Sequence, residues 1–226
     1  GTGTTVIQVN DGDGTFNVAR LVNLSVDGNG AATYGIALGS ATGSLKAFNG
    51  ALENVVATGC TGAGLRLVSA QGARLFNVGA IYNTGAGIMV DNLAGGANRA
   101  VTFIGCRTLY NSKQGLLIKA GNTLSFYGCW FENNALEGVA IERSATSDTD
   151  GSQSLSNLTF LNPHLEGNQT APTNAAPSTT GQFVTRALGT ASCNDVYVLR
   201  PRIILPTLES PAGVTNYCFD ITSASL

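Results

Sequence analysis

Short apolar segments with an alternating pattern recur along the chain, and each segment begins with a glycine. The motif is Gly, an apolar residue, any residue and a second apolar residue, in copies that are 29, 23, 28 and 23 residues apart. The glycines of these copies are Gly35, Gly64, Gly87, Gly115 and Gly138. Alternation over a few residues between glycine and asparagine turns is typical of β-strands with one buried face. The pattern therefore predicts short strands and no amphipathic helices.

When the copies are aligned on their glycines, residues of the same type also coincide at other positions of the repeat. Large apolar residues stand twelve positions earlier, at Leu52, Leu75, Phe103 and Phe126, and continue at Phe160 and Val198. Four positions before the glycine stand Cys60, Asn83, Asn111 and Asn134, with Asn168 in the next copy. Asparagine at a turn tolerates left-handed backbone and can hydrogen-bond the asparagine one coil away. Repeats of this length and pattern predict an all-β parallel β-helix, a solenoid of about seven coils.

The repeats divide the chain into three segments. Residues 20–205 carry the coils of 23–29 residues, and residues 1–19 have the pattern of a lead-in strand. Residues 206–226 are predicted to form a loop and a last strand. The pattern indicates no capping helix at either end, and the strands at the end of an open solenoid must be covered. We therefore expect the chain to trimerise or to continue a longer solenoid.

Residues 24–30 (LSVDGNG) and the repeated unit N-x-x-x-G-apolar-x-apolar resemble the right-handed β-helices of the pectate lyase superfamily. That group includes polysaccharide lyases, polygalacturonases and bacteriophage tailspikes, and this chain is most similar to a tailspike or tail-fibre segment. The resemblance implies a right-handed solenoid, a homotrimer as in tailspikes, a bacterial surface polysaccharide as partner, and a location on a virion tail or outside the cell. It says little about chemistry, because these motifs describe turns and core.

Composition excludes several other classes of function. Lys and Arg number 12 and Asp and Glu number 14, which gives a net charge of −2 and no basic surface for nucleic acid or an anionic membrane. No apolar stretch has the length of a membrane helix, so we expect no membrane insertion. Five cysteines without a CxxC pair and a single histidine argue against a structural zinc site. We expect buried, reduced thiols, no metal ligand and no cofactor.

The candidate chemistry lies on one outward face of the predicted coils. Outward positions eight and six residues before the glycine, extended into the two following copies, form what we call the outward strip: Arg107, Trp130, Glu132, His164, Glu166 and Arg202. It contains the chain's one Trp and its one His. With adjacent strands about 4.8 Å apart, four successive coils would make a patch roughly 15 Å long.

These side chains are suited to a carbohydrate. Trp130 offers a flat face for a sugar ring, and Arg107 and Arg202 could hold acidic sugar groups. Glu132 and Glu166 could flank a glycosidic bond, one as acid and the other as base or nucleophile, with His164 as hydrogen-bonding partner or auxiliary base. Tyr110 and Asn134 complete the predicted binding set.

Three functions therefore remain open. The protein could be a glycan-recognising module, an endoglycosidase that uses the Glu pair, or a structural shaft or adhesin segment whose surface binds nothing specific. A polysaccharide lyase fits less well, because its cluster of Asp beside a basic residue is not found on the strip. Ordinary explanations also remain for single residues: an ion pair between Arg107 and Glu132, or Trp130 packed under the loop of residues 144–156 or in a subunit contact.

Overall fold

The computed structural model of the chain describes residues 4–9, 19–39, 49–68, 70–91, 98–144, 155–168, 181–188, 193–204 and 217–222. The strands in chain order are β1 (Thr5–Val9), β2 (Arg20–Asp27), β3 (Tyr34–Leu38), β4 (Ala51–Thr58), β5 (Leu65–Leu67), β6 (Arg74–Phe76), β7 (Gly79–Ile81), β8 (Ile88–Val90), β9 (Arg99–Ile104), β10 (Arg107–Leu109), β11 (Leu116–Ile118), β12 (Asn122–Tyr127), β13 (Trp130–Glu132), β14 (Val139–Ser144), β15 (Leu155–Leu161), β16 (His164–Glu166), β17 (Gly181–Leu188), β18 (Cys193–Leu199), β19 (Arg202–Ile204) and β20 (Tyr217–Thr222). Within the described ranges there is no helix, which confirms the all-β prediction. It follows that no described helix has the length and apolar character needed to cross a bilayer.

The strands form stacked parallel rows, as the repeat predicts. Sheet 1 is β1-β3-β5-β8-β11-β14-β17-β20, with strands that are far apart in sequence and adjacent in space. The long strand β4 pairs with β6 through its first half and with β7 through its second half. From there the chain builds two further rows: sheet 2 (β6, β9, β12, β15 and β18) and sheet 3 (β7, β10, β13, β16 and β19). The predicted parallel β-helix is therefore confirmed.

The two segments that flank the predicted coils, residues 1–19 and 206–226, contribute strands to sheet 1. β1 pairs with β3 in parallel, and β20 pairs with β17 in the same way. The described part of residues 1–19 and of residues 206–226 thus extends the same stack of strands.

The interior is filled by columns of apolar side chains in register. The predicted column runs Leu52, Leu75, Phe103, Phe126, Phe160 and Val198; the first five members are buried and Val198 is half-buried. The Phe126 ring stacks on Phe103 and on Phe160, with ring centroids 4.4 Å apart in both pairs. Because each ring fills the space between its neighbours, this column fixes the vertical spacing of the coils.

A left-handed residue bends the chain between sheet 2 and sheet 3 in every described coil. The positions with positive φ are Asn23, Asn54, Asn77, Gly105, Gly128, Asn162 and Arg200. Glycine and asparagine adopt this conformation with little strain, so their frequency in the sequence has a direct cause. The first three asparagines also form an exposed ladder, in which Asn54 donates to Asn23 at 3.1 Å and accepts from Asn77 at 2.9 Å.

A second asparagine ladder is buried inside the turn that follows sheet 3. The side-chain amide of Asn83 donates to Asn111, Asn111 to Asn134, and Asn134 to Asn168, at 2.9–3.0 Å. The predicted hydrogen bonds between coils are confirmed. The predicted left-handed backbone of these asparagines is wrong, because the residue before each one has the positive φ instead, as Tyr82 and Tyr110 show.

Three cysteines lie in the described interior. Cys60, Cys106 and Cys129 are buried and carry free thiols, as expected from the sequence. The side chains of Cys193 and Cys218 lie outside the described residues.

Candidate functional site

Sheet 3 brings the predicted residues of the outward strip into register. The strands β10, β13, β16 and β19 are consecutive neighbours. In their outward row, Arg107 is opposite Trp130, Trp130 opposite His164, and His164 opposite Arg202. The alignment that was counted from the glycines is therefore confirmed at the level of strand register.

The second outward row carries the two carboxylates. Glu132 is opposite Glu166, with Leu109 before them and Ile204 after them in the row. Side chains two positions apart on one strand point to the same face. Trp130 and Glu132 therefore project together from β13, and His164 and Glu166 project together from β16.

The rings of Trp130 and His164 form a stacked pair on the surface. Their centroids are 5.1 Å apart and their planes differ by 25°. Trp130 is 51% exposed, whereas His164 is only 7% exposed. The indole covers one face of the imidazole, while about half of the Trp130 surface remains in contact with solvent. A large exposed aromatic face beside polar groups is a feature of binding sites more than of structural positions.

His164 lies between the two carboxylates. Its Nε2 atom is 2.8 Å from Oε2 of Glu166 and 3.2 Å from Oε1 of Glu132. In the tautomer that carries a proton on Nε2, the ring donates towards these carboxylate oxygens. The side chain of Glu132 is 19% exposed and that of Glu166 is 41% exposed, so both carboxylates retain oxygens that a ligand can reach.

The same three residues offer the atoms that bind a divalent metal ion. One oxygen from each carboxylate and one nitrogen of His164 lie within 4.8 Å of one another. Zn²⁺ takes imidazole nitrogen and carboxylate oxygen at about 2.0–2.2 Å, which puts ligands on one ion roughly 3–4 Å apart. The sequence analysis placed these three residues on adjacent coils but assigned no metal ligand, because the convergence of their side-chain atoms depends on rotamers that strand register does not determine. The group can hold a shared proton or, with small side-chain shifts, a cation.

The spacing bears directly on the hydrolytic use of the Glu pair. Inverting glycosidases keep their carboxyl groups about 6.5–9.5 Å apart, and retaining enzymes about 5–5.5 Å, with the sugar between them. Here one oxygen of Glu132 and one oxygen of Glu166 lie within 4.8 Å of each other, and Nε2 of His164 contacts a carboxylate oxygen of each residue. Both carboxylates therefore have a partner within the protein, which a hydrolytic pair would have to release when substrate binds.

Comparison with known protein families shows which family this chain belongs to and which hand its solenoid has. The family described as "Right handed beta helix region" matches residues 3–176. The chain belongs to the right-handed β-helix family. The right-handed solenoid that the sequence motifs implied is thereby confirmed.

Solved structures support the same fold for this right-handed β-helix. A mutant of the periplasmic alginate epimerase AlgG aligns with a TM-score of 0.63 and 16% identity, over 88% of this chain and 42% of the epimerase. A second AlgG structure aligns with a TM-score of 0.58 and 15% identity, over 87% and 43% of the two chains. The chain spans less than half the length of these enzymes. Among curated proteins, none matches the sequence.

The remaining predicted residues of the β-helix occupy different environments. Arg107 and Arg202 are exposed in the Trp130 row, and neither forms a salt bridge with a described carboxylate. The ion pair considered between Arg107 and Glu132 is therefore not present. Asn134 is fully buried, and its side chain is a rung of the inner ladder. It cannot reach a ligand on the surface, so we remove it from the binding set.

Tyr110 is exposed, as a binding residue must be, and it has a partner that the sequence analysis missed. Tyr82, in the preceding coil, stacks on it with ring centroids 5.2 Å apart and planes 9° apart. A signal for this pair was present in the sequence, since each tyrosine directly precedes an asparagine of the inner ladder. The two rings stand beside the row of Leu109 and Glu132.

Proposed function

We propose that this β-helix binds polysaccharide along the outward strip of sheet 3. The observation that carries the proposal is the exposed Trp130 ring, stacked on His164 beside two carboxylates in adjacent coils. A sugar combines apolar C–H faces with many hydroxyl groups. It therefore needs a flat aromatic surface next to hydrogen-bond acceptors, which Trp130, Glu132 and Glu166 supply together.

The arginines extend this surface at both ends. Arg107 and Arg202 flank Trp130 and His164 in the same row, and both side chains are exposed. A guanidinium binds a carboxylate or sulfate of an acidic sugar through two parallel hydrogen bonds. Because the row crosses four strands, about 15 Å of surface is available, which suits an oligosaccharide better than a single sugar.

The structural neighbours are in keeping with this class of ligand, since both are named alginate epimerases and alginate is a polysaccharide. We propose more specifically a bacterial surface polysaccharide, with the chain as part of a phage tailspike or another extracellular protein that trimerises or continues the solenoid. The periplasmic location of AlgG fits a protein that works outside the cytoplasm.

Cleavage of the bound glycan is the alternative function. The contacts of His164 with Glu132 and Glu166 support binding more than hydrolysis, because both carboxylates already have a partner in the protein. An enzymatic role would require His164 to leave one carboxylate when substrate enters. The two functions therefore differ in an observable way, the appearance of new chain ends.

The test of binding uses a panel of purified bacterial polysaccharides and titration calorimetry. Trp130→Ala should weaken the wild-type affinity about tenfold, as expected for a central aromatic contact. Tyr197→Ala is the matched control, because Tyr197 is 54% exposed but lies on β18 in sheet 2. Binding that is equal in the two variants, or absent from the wild type across the panel, would overturn the proposal.

Catalysis is tested on the same polysaccharides by measuring reducing ends. We expect no increase with the wild-type protein. Release of ends that is lost in both Glu132→Gln and Glu166→Gln would replace the binding function by the hydrolytic one.

A further inference from the structure

Tyr82 and Tyr110 form an exposed aromatic pile next to the outward strip. They are 65% and 49% exposed, and each directly follows a strand of sheet 3, β7 and β10. Their centroid separation of 5.2 Å is close to the roughly 4.8 Å between neighbouring strands, so the rings stack along the axis of the coils. Burial contributes little to stability here, because about two thirds of Tyr82 and half of Tyr110 remain exposed to solvent.

The backbone at these two positions disfavours tyrosine. Tyr82 and Tyr110 have φ values of 56° and 54°, in the left-handed region. The same column holds Gly59, Asn133 and Gly167 in other coils, also at positive φ. Glycine and asparagine are the residues that adopt this conformation readily, whereas a bulky side chain is strained in it. Two successive coils thus keep a strained residue at a place where an unstrained one would fit.

The neighbouring residues leave one face of the Tyr110 ring free, on the side of the outward strip. Tyr82 lies behind Tyr110, and the next coil presents only Asn133 and then Gly167 in this column. The Asn133 amide oxygen lies against Gly167, in the direction away from Tyr110. The free face of the Tyr110 ring therefore lies above Asn133 and Gly167, which are smaller than tyrosine and which we call the shelf. The backbone N–H of Tyr110 donates to the carbonyl of Glu132 at 3.2 Å, so the shelf borders the strip.

We propose that Tyr110, backed by Tyr82, forms a second sugar subsite above the shelf of Asn133 and Gly167. This inference rests on the proposed function and adds a second contact point for the same polysaccharide. Side chains beside it in the outward row, Ile81 and Leu109, are uncharged and half-buried. The subsite therefore takes the apolar face of a pyranose on the Tyr110 ring, with the phenol hydroxyls available to its ring substituents and the carboxylates of Glu132 and Glu166, which directly precede the shelf residues, as acceptors for its hydroxyl groups.

Strain and function predict opposite effects of one substitution. Tyr110→Asn installs the residue that position 133 already carries, so the thermal midpoint should stay within about 2 °C of the wild type or rise. The affinity for the polysaccharide should fall about fivefold or more. Tyr110→Phe keeps the ring and should retain most of the affinity. Tyr82→Asn should weaken binding less than Tyr110→Asn, because it removes only the backing ring.

A matched control separates strain from ring loss. Thr123→Asn changes another exposed residue at positive φ, with φ of 57°, in β12 of sheet 2, and should leave binding unchanged. Affinities are measured where circular dichroism shows each variant folded. Unchanged affinity of Tyr110→Asn, in a protein whose binding still depends on Trp130, would overturn the second subsite and leave the proposed function intact. No polysaccharide binding by the wild type would instead overturn the proposed function.

Discussion

Replacing Asn134 by alanine is expected to destabilise the stack of coils and to leave the glycan surface in place. The Oδ1 atom of Asn134 accepts from the backbone N–H of Asn111 at 3.2 Å and from the Asn111 amide at 2.9 Å. Its own amide donates to the carbonyl of Thr108 at 3.2 Å and to Asn168 at 2.9 Å. All of these groups are buried, so water does not replace the lost partner.

The cost can be worked out from the donors that lose their acceptor. The Asn111 N–H loses its acceptor completely, while the Asn111 amide keeps its bond to the carbonyl of Ala80 at 2.9 Å. A buried polar group without a partner costs about 1–3 kcal/mol, so one full loss and one partial loss give about 3 kcal/mol. For a chain of this size that corresponds to a fall in the thermal midpoint of about 6–12 °C.

The assay is a thermal or urea melt followed by circular dichroism, with polysaccharide affinity measured on the folded variant. Asn54→Gly is the control, because Asn54 belongs to the exposed ladder and glycine keeps its positive φ. We expect a loss below about 1 kcal/mol for this control, since water replaces the exposed bonds. An Asn134→Ala protein with an unchanged midpoint and a reduced affinity would refute this reasoning and restore Asn134 as a ligand-binding residue.

Two further predictions concern the core. Gly115→Ala should cost about 3 kcal/mol or more, because a Cβ there would lie 2.6 Å from the Gly138 carbonyl oxygen and 2.7 Å from the Asn134 amide. Gly105→Ala, at positive φ but with no atom within 4 Å of a Cβ, should cost only about 1 kcal/mol, and equal losses in urea melts would contradict the packing argument. The hydrogen bond with the Cys106 thiol and burial both raise the pKa of Cys129 well above its ordinary value. Its thiol should therefore resist iodoacetamide at about pH 8 in the folded protein and react after unfolding, as peptide mapping by mass spectrometry would show; labelling in the folded state would contradict this.

The repeat was predictable because the same physical requirement recurs in every coil. An inward column must be apolar, as at Phe103 and Phe126, and a close approach of two backbones requires glycine, as at Gly115. Counting from these glycines placed Trp130, and extending the same frame into the copy of Phe160 and Asn168 placed His164 opposite it. Strand register follows from such columns, since a slip of one residue would turn every buried side chain outward.

Side-chain contacts within the site were harder to predict, for reasons that differ between residues. Asn134 is polar and follows a turn, which suggests the surface, yet the ladder satisfies its amide inside the protein. The bridge from His164 to Glu132 and Glu166 depends on rotamers that register alone does not determine. Tyr82 was missed because left-handed positions usually hold glycine or asparagine, so the pattern of the repeat does not predict a tyrosine ring there.

The buried ladder explains why the outward strip keeps its geometry although the coils differ in length. Asn111 and Asn134 are 23 residues apart, whereas Asn134 and Asn168 are 34 residues apart, yet both pairs make the same amide hydrogen bond at 2.9 Å. The hydrogen bond between rungs is therefore the same whether 23 or 34 residues separate the two asparagines. Glu132 and Glu166 stand two positions before Asn134 and Asn168. The neighbouring asparagine of the ladder therefore sets the position of each carboxylate, whatever the length of the chain between the two coils. Outward residues of such a stack contact only their neighbours, and a binding surface can change there without disturbing the register that aligns it.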